Sequence, residues 1–267
     1  MSFAERLVVK TASYLFPERA AYRLARAALA TQGIGWAGPA SGVRGSGETS
    51  FLKREVAKIR KPCIFDVGAN VGEYALAALK ANPEAILHCF EPSSSHFQIL
   101  KGTLTDANVR LNAFGLSDIE EVRALHKDSA VSGLASLIAR DLSHLDISLH
   151  LLESVELVVG DNYVTQNHID RIDLLKIDVE GWEMSVLKGF EESFQKKIIK
   201  CCQFEFGHAH IERRENFRDF YRFFVGRGFQ IGALKPSGKV NYMVRYDEIF
   251  ENYYATNYVA TLFSAGA

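Results

Sequence analysis

Apolar residues fall in short runs along this chain, and the spacing between them changes twice. Over residues 2 to about 30, Leu7, Val8, Leu15, Phe16, Leu24, Ala28 and Leu29 recur at roughly helical spacing. Pro17 interrupts that run and predicts a break between two helices. Residues 31–50 then carry Gly33, Gly35, Gly38, Pro39, Gly42, Gly45 and Gly47, which predicts a loop or linker at the edge of the main domain, able to act as a mobile lid. From about residue 52 the pattern becomes strand, helix, strand, helix. Strands are expected at 64–67, 86–90, 109–113, 174–178 and 198–206, with 229–234 and 258–263 closing the sheet. Helices are expected at 74–81, 95–104, 182–190 and 217–226. Most of these strands are apolar throughout rather than alternating, which predicts a parallel sheet covered on both faces.

The interval 119–172 breaks the alternation. It offers two strand candidates, 122–126 and 155–159, separated by a Ser-rich, His-containing stretch at 128–150. It reads as an insertion over the active-site side of the sheet. The expected organisation is an N-terminal helical extension and Gly-rich linker over 1–50, then one α/β domain over 51–267.

Composition narrows the classes. A chain of 267 residues, 48% hydrophobic, can bury a full core without metal or disulfide staples. Lys plus Arg total 31 against 32 Asp plus Glu, a net charge of -1, which argues against a nucleic-acid-coating protein. Cys63, Cys89, Cys201 and Cys202 lie in strand-like runs without a CxxC pair and read as buried thiols of a reducing compartment. No apolar run reaches the ~18 residues of a membrane span, and the N-terminus shows no secretory signal. A cytoplasmic location is expected. Residues 1–30 carry Arg6, Lys10, Arg19, Arg23 and Arg26 against Glu5 and Glu18. They read first as a cap on the domain and second as a peripheral contact with the inner membrane face or a partner.

The chemistry sits in three runs. In Phe65-Asp66-Val67-Gly68-Ala69-Asn70-Val71-Gly72, an apolar strand ends in a carboxylate, turns through glycine and enters a helix. Aligned on Gly68, a nicotinamide fingerprint fails twice, because Asn70 and Glu73 occupy its later glycine positions. No P-loop is present. This acidic turn suits a ligand with an amine and a carboxylate, such as S-adenosylmethionine. The second run is Phe90-Glu91-Pro92, where an acid at a strand end can accept hydrogen bonds from ribose hydroxyls. The third is Asp173-Leu174-Leu175-Lys176-Ile177-Asp178-Val179-Glu180-Gly181-Trp182-Glu183. Asp178 and Glu180 lie at a strand's carboxyl end, where open α/β sheets bind ligands. Lys176, costly in so apolar a strand, is expected to pair with an acid on the neighbouring strand, with Asp66 the candidate.

FDVGANVG, then FEP, then NAFGLSD, then DLLKIDVEGWEMSVLKG, in this order, resemble the FkbM family of S-adenosylmethionine-dependent methyltransferases. The resemblance spans about residues 62–235. It implies the class I methyltransferase fold, a Rossmann-like α/β sheet of seven mostly parallel strands in the order 3-2-1-4-5-7-6, helices on both faces and an antiparallel last strand. It also implies O-methylation of a sugar hydroxyl in a natural product, polysaccharide or glycolipid, with S-adenosylhomocysteine as product. By position, Asp66, Gly68, Asn70 and Gly72 would form the methionine-side turn and Glu91 would hold the ribose, with Tyr74 and Pro92 in the same cofactor set. Asn112 and Ala113 would line the adenine. Asp178 and Glu180 would face the methyl group and the acceptor.

A sugar hydroxyl is a poor nucleophile, so a general base is expected. Asp178 and Glu180 are favoured over Glu205, His208 and His210, with Glu205 and His208 completing a polar wall. A divalent metal across Asp178, Glu180 and Glu205 is the less favoured route, since no compact ligand motif is present. Tyr242, Tyr246, Phe250, Tyr253, Tyr254 and Tyr258 could stack on a sugar, but core or a homo-oligomer interface is expected first. A nucleic-acid methyltransferase is disfavoured: Asp178-Val179-Glu180-Gly181 stands where amino-methylating enzymes carry Asn/Asp-Pro-Pro-aromatic. A non-catalytic binding module is the third reading.

Overall fold

The computed structural model describes residues 2–15, 17–37 and 42–263; Phe16, Gly38 and Pro39 of the expectations above lie outside them. Eleven strands are formed among these residues: β1 (Cys63–Val67), β2 (Ile86–Phe90), β3 (Val109–Asn112), β4 (Gly115–Ser117), β5 (Glu121–Lys127), β6 (Leu151–Val159), β7 (Leu174–Ile177), β8 (Cys201–Phe206), β9 (Phe229–Leu234), β10 (Val240–Tyr242) and β11 (Thr256–Leu262). The main sheet has the order β10-β9-β11-β8-β7-β1-β2-β3. β3, β2, β1, β7 and β8 run parallel, and β11 is antiparallel to both of its neighbours.

This is the class I methyltransferase topology, with the strand order reversing between β1 and β7. The expected count of seven is corrected to eight, because the three-residue β10 pairs with β9 at the edge. A run that short leaves no hydrophobic period to read.

Alternation along the strands divides the core. Ile64, Leu87, Cys89 and Leu174 join one apolar cluster, with Phe51 and Leu52 of helix Glu48–Glu55 packed into it. Phe65, Val67, Phe90, Leu175, Ile177, Phe204 and Phe206 join the other. The second face is strongly aromatic: Phe204 stacks on Phe220 with centroids 5.1 Å apart, and on Tyr258 at 5.7 Å. Tyr258 is fully buried there, Phe250 packs on Phe217, and Tyr253 on Phe206. Phe250, Tyr253 and Tyr258 are thus spent on packing.

The interval 119–172 supplies β5 and β6, which form a second sheet of order β4-β6-β5. Helix Gly160–Gln166 follows it, and its Tyr163 hydroxyl hydrogen-bonds buried His88 Nδ1 at 2.8 Å.

The N-terminal run forms helices Phe3–Leu15 and Glu18–Thr31, broken at Pro17 as its fixed φ predicts. The expected loop over 31–50 is corrected in part. Gly42–Gly45 forms a helical turn and Glu48–Glu55 a helix that crosses residue 50. Burial drives this: Ser46, Glu48, Phe51 and Leu52 are all buried. No helix among the described residues is long and apolar enough to cross a membrane. The four cysteines are free, three of them buried.

Candidate active site

The carboxyl ends of β1, β2, β7 and β8 open into one cavity of about 660 Å³, whose lining also includes residues from the 128–137 and 42–48 segments. Its position follows from topology: the strand order reverses at β1 and β7, so the connections leaving these strands diverge and leave a crevice.

Gly68 leaves β1 with φ +80, and a Cβ there would lie 1.9 Å from the Asp178 carbonyl oxygen. Only glycine allows the two strand ends this close. The Gly68 and Ala69 amides both donate to the Phe90 carbonyl, tying the β1 turn to β2. The turn continues through Asn70 at φ +49 to Gly72.

Glu91, just past β2, is 7% exposed. One carboxylate oxygen accepts the Asn70 amide at 2.8 Å and the other the Ser93 amide at 2.9 Å. Burial pushes this carboxyl up to about 7, against those two hydrogen bonds. Each oxygen keeps a lone pair for a further donor.

Asp66 and Lys176 are register partners on β1 and β7. Lys176 Nζ lies 3.4 Å from Asp66 Oδ1 and 3.4 Å from Asp178 Oδ2, and sits 5.2 Å from the Tyr74 ring centroid. The expected pairing of Lys176 with Asp66 is therefore formed. Burial alone would lower the ammonium, but Asp66, Asp178 and Glu48 together hold it above its ordinary range. Asp66 is itself fully buried, and its carboxylate is spent on Lys176 rather than lining the cavity.

The run after β7 carries Asp178, Glu180 and Glu183. Glu180 has φ +54 and Gly181 φ +101, two consecutive left-handed residues. A Cβ on Gly181 would meet Ile138 Cδ1 at 2.8 Å and the Ala209 carbonyl at 2.9 Å. Glu183 stabilises this turn from inside, accepting the Val179 amide at 3.0 Å and the Gly181 amide at 2.9 Å. His210, buried to 1%, pairs with Glu183 at 2.9 Å. That removes His210 from the candidate bases: it supports the loop and does not line the cavity.

Glu180 Oε2 accepts from Arg140 Nη1 at 2.7 Å, and its backbone carbonyl from Ser136 Oγ at 2.8 Å. Burial raises the Glu180 carboxyl to about 7, and Arg140 opposes the rise. Glu205 is raised well above the ordinary carboxylate range, first by burial and then by Asp178 and Glu180. His208 is lowered, by burial and then by Arg140. Asp178, Glu180, Glu205 and His208 all line the cavity.

The cofactor set divides. Gly68, Asn70, Tyr74, Glu91, Pro92 and Asp178 line the cavity, whereas Asp66, Gly72, Asn112 and Ala113 do not. The Asn112 amide is turned to the Cys89 carbonyl at 3.0 Å. Among the described residues, no three His, Cys, Asp or Glu side chains converge as a metal site.

Three contributors escaped the sequence reading. Arg140 and His96 come from stretches without a motif. Glu48 comes from the Gly-rich run: it accepts from Ser46 Oγ at 2.6 Å and from Gln203 Nε2 at 2.6 Å, and Tyr74 donates to Gln203 Oε1 at 3.0 Å. The burial of Phe51 and Leu52, readable as an apolar pair following Glu48, was the one available signal.

A family model described as the methyltransferase FkbM domain matches residues 66–231. Methyltransferase sdnD of Sordaria araneosa is 28% identical over 158 residues, covering 49% of this chain and 61% of that protein. The 31-O-demethyl-FK506 methyltransferase FkbM of Streptomyces tacrolimicus is 30% identical over 190 residues, covering 57% and 73%. The hexuronic acid methyltransferase AglP of Haloferax volcanii is 29% identical over 135 residues, covering 49% and 51%. The chain thus spans less than two thirds of sdnD's length.

Proposed function

The chain belongs to the FkbM methyltransferase family, and on that premise we propose that it is an S-adenosylmethionine-dependent O-methyltransferase acting on a hydroxyl of a sugar or glycan-type acceptor. The observation that carries this reading is a single cavity lined by two differently held sets of carboxylates. Glu91 is fixed by main-chain amides near the Gly68 turn, and Asp178, Glu180 and Glu205 line the same space.

The chain's own residues fit the donor. Glu91 presents two anchored oxygens to a ribose diol. The Gly68 turn admits the methionine portion against the backbone, where any side chain would overlap Asp178. The acid-rich wall stabilises a positively charged ligand. When bound, S-adenosylmethionine supplies a methyl group on a sulfonium leaving group.

The remaining task is to orient the acceptor oxygen and remove its proton. Asp178 and Glu180 stand at the end of β7 for that role. Glu180, held near neutrality by burial against Arg140, is tuned for proton acceptance at physiological pH. A carboxylate takes the hydroxyl proton as the new O–C bond forms and the C–S bond breaks. Glu205 and His208 form the opposing wall and hydrogen-bond the acceptor's other hydroxyls. The carboxylates repel a phosphate backbone, which favours a saccharide over nucleic acid. The names of FkbM and AglP, a 31-O-demethyl-FK506 and a hexuronic acid methyltransferase, support an oxygen acceptor.

The test is methyl transfer from radiolabelled S-adenosylmethionine to nucleotide sugars, lipid-linked saccharides, finished polysaccharide and RNA, beside calorimetric binding of S-adenosylhomocysteine. Label in a saccharide fraction is the expected result. Label on RNA alone overturns the acceptor class.

A further inference from the structure

Helix Ser94–Thr103 begins just past Glu91, and its first turn carries His96. His96 is 2% exposed, yet it lines the cavity that Glu91 lines. Neither ring nitrogen has a hydrogen-bond partner of good geometry, although the Ser132 backbone is near enough to bias its charge. Burial and then Lys127 lower its affinity for a proton. The ring is therefore neutral at physiological pH, with one N–H donor and one acceptor nitrogen.

A buried imidazole without a well-formed hydrogen bond at either nitrogen is costly unless a ligand completes it. The surroundings limit which ligand group arrives there. Pro92, Leu116 and Leu125 supply apolar surface in the same cavity, as a flat ring requires. Asn112 and Ala113, at the end of β3, do not reach the cavity, so a base attached to the ribose at Glu91 finds no polar reader from that strand. A purine edge alternates donors and acceptors, which is the complement of a neutral imidazole.

We infer that His96 reads the polar edge of the donor's purine ring and so sets the specificity of the cofactor site. This rests on the donor reading proposed above. The helix start that carries His96 is tied to its neighbours: Ser95 Oγ donates to the Ala130 carbonyl, and Lys127 pairs with Glu153, whose other oxygen accepts the Ser94 amide at 2.7 Å.

The experiment compares two probes by calorimetry or competition: S-adenosylhomocysteine, and S-ribosylhomocysteine, which keeps the ribose and amino acid but lacks the purine. His96→Phe is expected to weaken S-adenosylhomocysteine roughly tenfold while leaving S-ribosylhomocysteine within about twofold. His96→Asn, which restores a donor and an acceptor, is expected to recover part of the loss. An equal loss on both probes, or unchanged affinity for S-adenosylhomocysteine with a raised acceptor KM, overturns the inference. A wild-type protein that binds neither probe overturns the donor reading itself, and this inference with it.

Discussion

Glu91 and Glu180 line the same cavity, and burial raises both carboxyls to about 7, but they are held differently. Glu91 is gripped by two main-chain amides from the turns that leave β1 and β2. Glu180 is gripped by the Arg140 side chain, from the segment between β5 and β6. Main-chain grips come with the fold and change only if the fold changes. Side-chain grips change with one residue. On the proposed reading, the residues that would hold the donor are thus fixed by the architecture itself, and those that would meet the acceptor by a side chain that can vary.

That contrast breaks first at Gly68. Gly68→Val forces a β-branched residue to φ +80 and against the Asp178 carbonyl, so a loss of about 4 kcal/mol or more is expected in urea unfolding. A stable, soluble variant would remove the close crossing from the account of the donor residues.

Among the acceptor residues, Asp178→Asn is expected to lower turnover by about 10²–10⁴ while S-adenosylhomocysteine affinity stays within about threefold. Lys176 keeps Asp66 as a partner in that variant, so the fold survives. Wild-type turnover excludes Asp178 from proton transfer.

Glu91→Gln sets an amide against the Asn70 and Ser93 amides, and a weakening of S-adenosylhomocysteine by about 10- to 100-fold is expected. Unchanged affinity in calorimetry would detach the ribose from Glu91.

The smallest effect tests the side-chain grip. Arg140 lowers the Glu180 carboxyl against the rise that burial causes, so Arg140→Met moves it further up. A base must be ionised to act. The acidic limb of the rate profile is therefore expected to shift to higher pH by about one unit, with S-adenosylhomocysteine affinity little changed. An unshifted limb would show that Glu180 is not the group titrating in the rate.

The sequence was most legible where local rules and the global fold agree. The β1 turn, the Glu91 strand end and the β7 run could be read because a continuous apolar strand, a glycine and an acid occur at fixed spacing. Lys176 was readable as paired, since a cation in a buried strand requires a counter-charge, and register supplied Asp66. Asn112 shows the limit: it lies at the end of β3 as expected, but its side chain turns away to Cys89. His210 was a plausible base by its neighbourhood in sequence, and burial against Glu183 made it a support.

By itself, the sequence determined the order of elements, the sheet class and the identity of the acids at the strand ends, because period, glycine and charge are local properties. Only the tertiary structure decided which of those groups share a cavity. Arg140 reaches Glu180 across 40 positions, and Glu48 reaches Gln203 across 155. Such partners are chosen by where loops close over the sheet, and no local pattern encodes that. The near-neutral net charge of -1 follows the same rule: folding brings Asp178, Glu180 and Glu205 of a charge-balanced chain to one cavity.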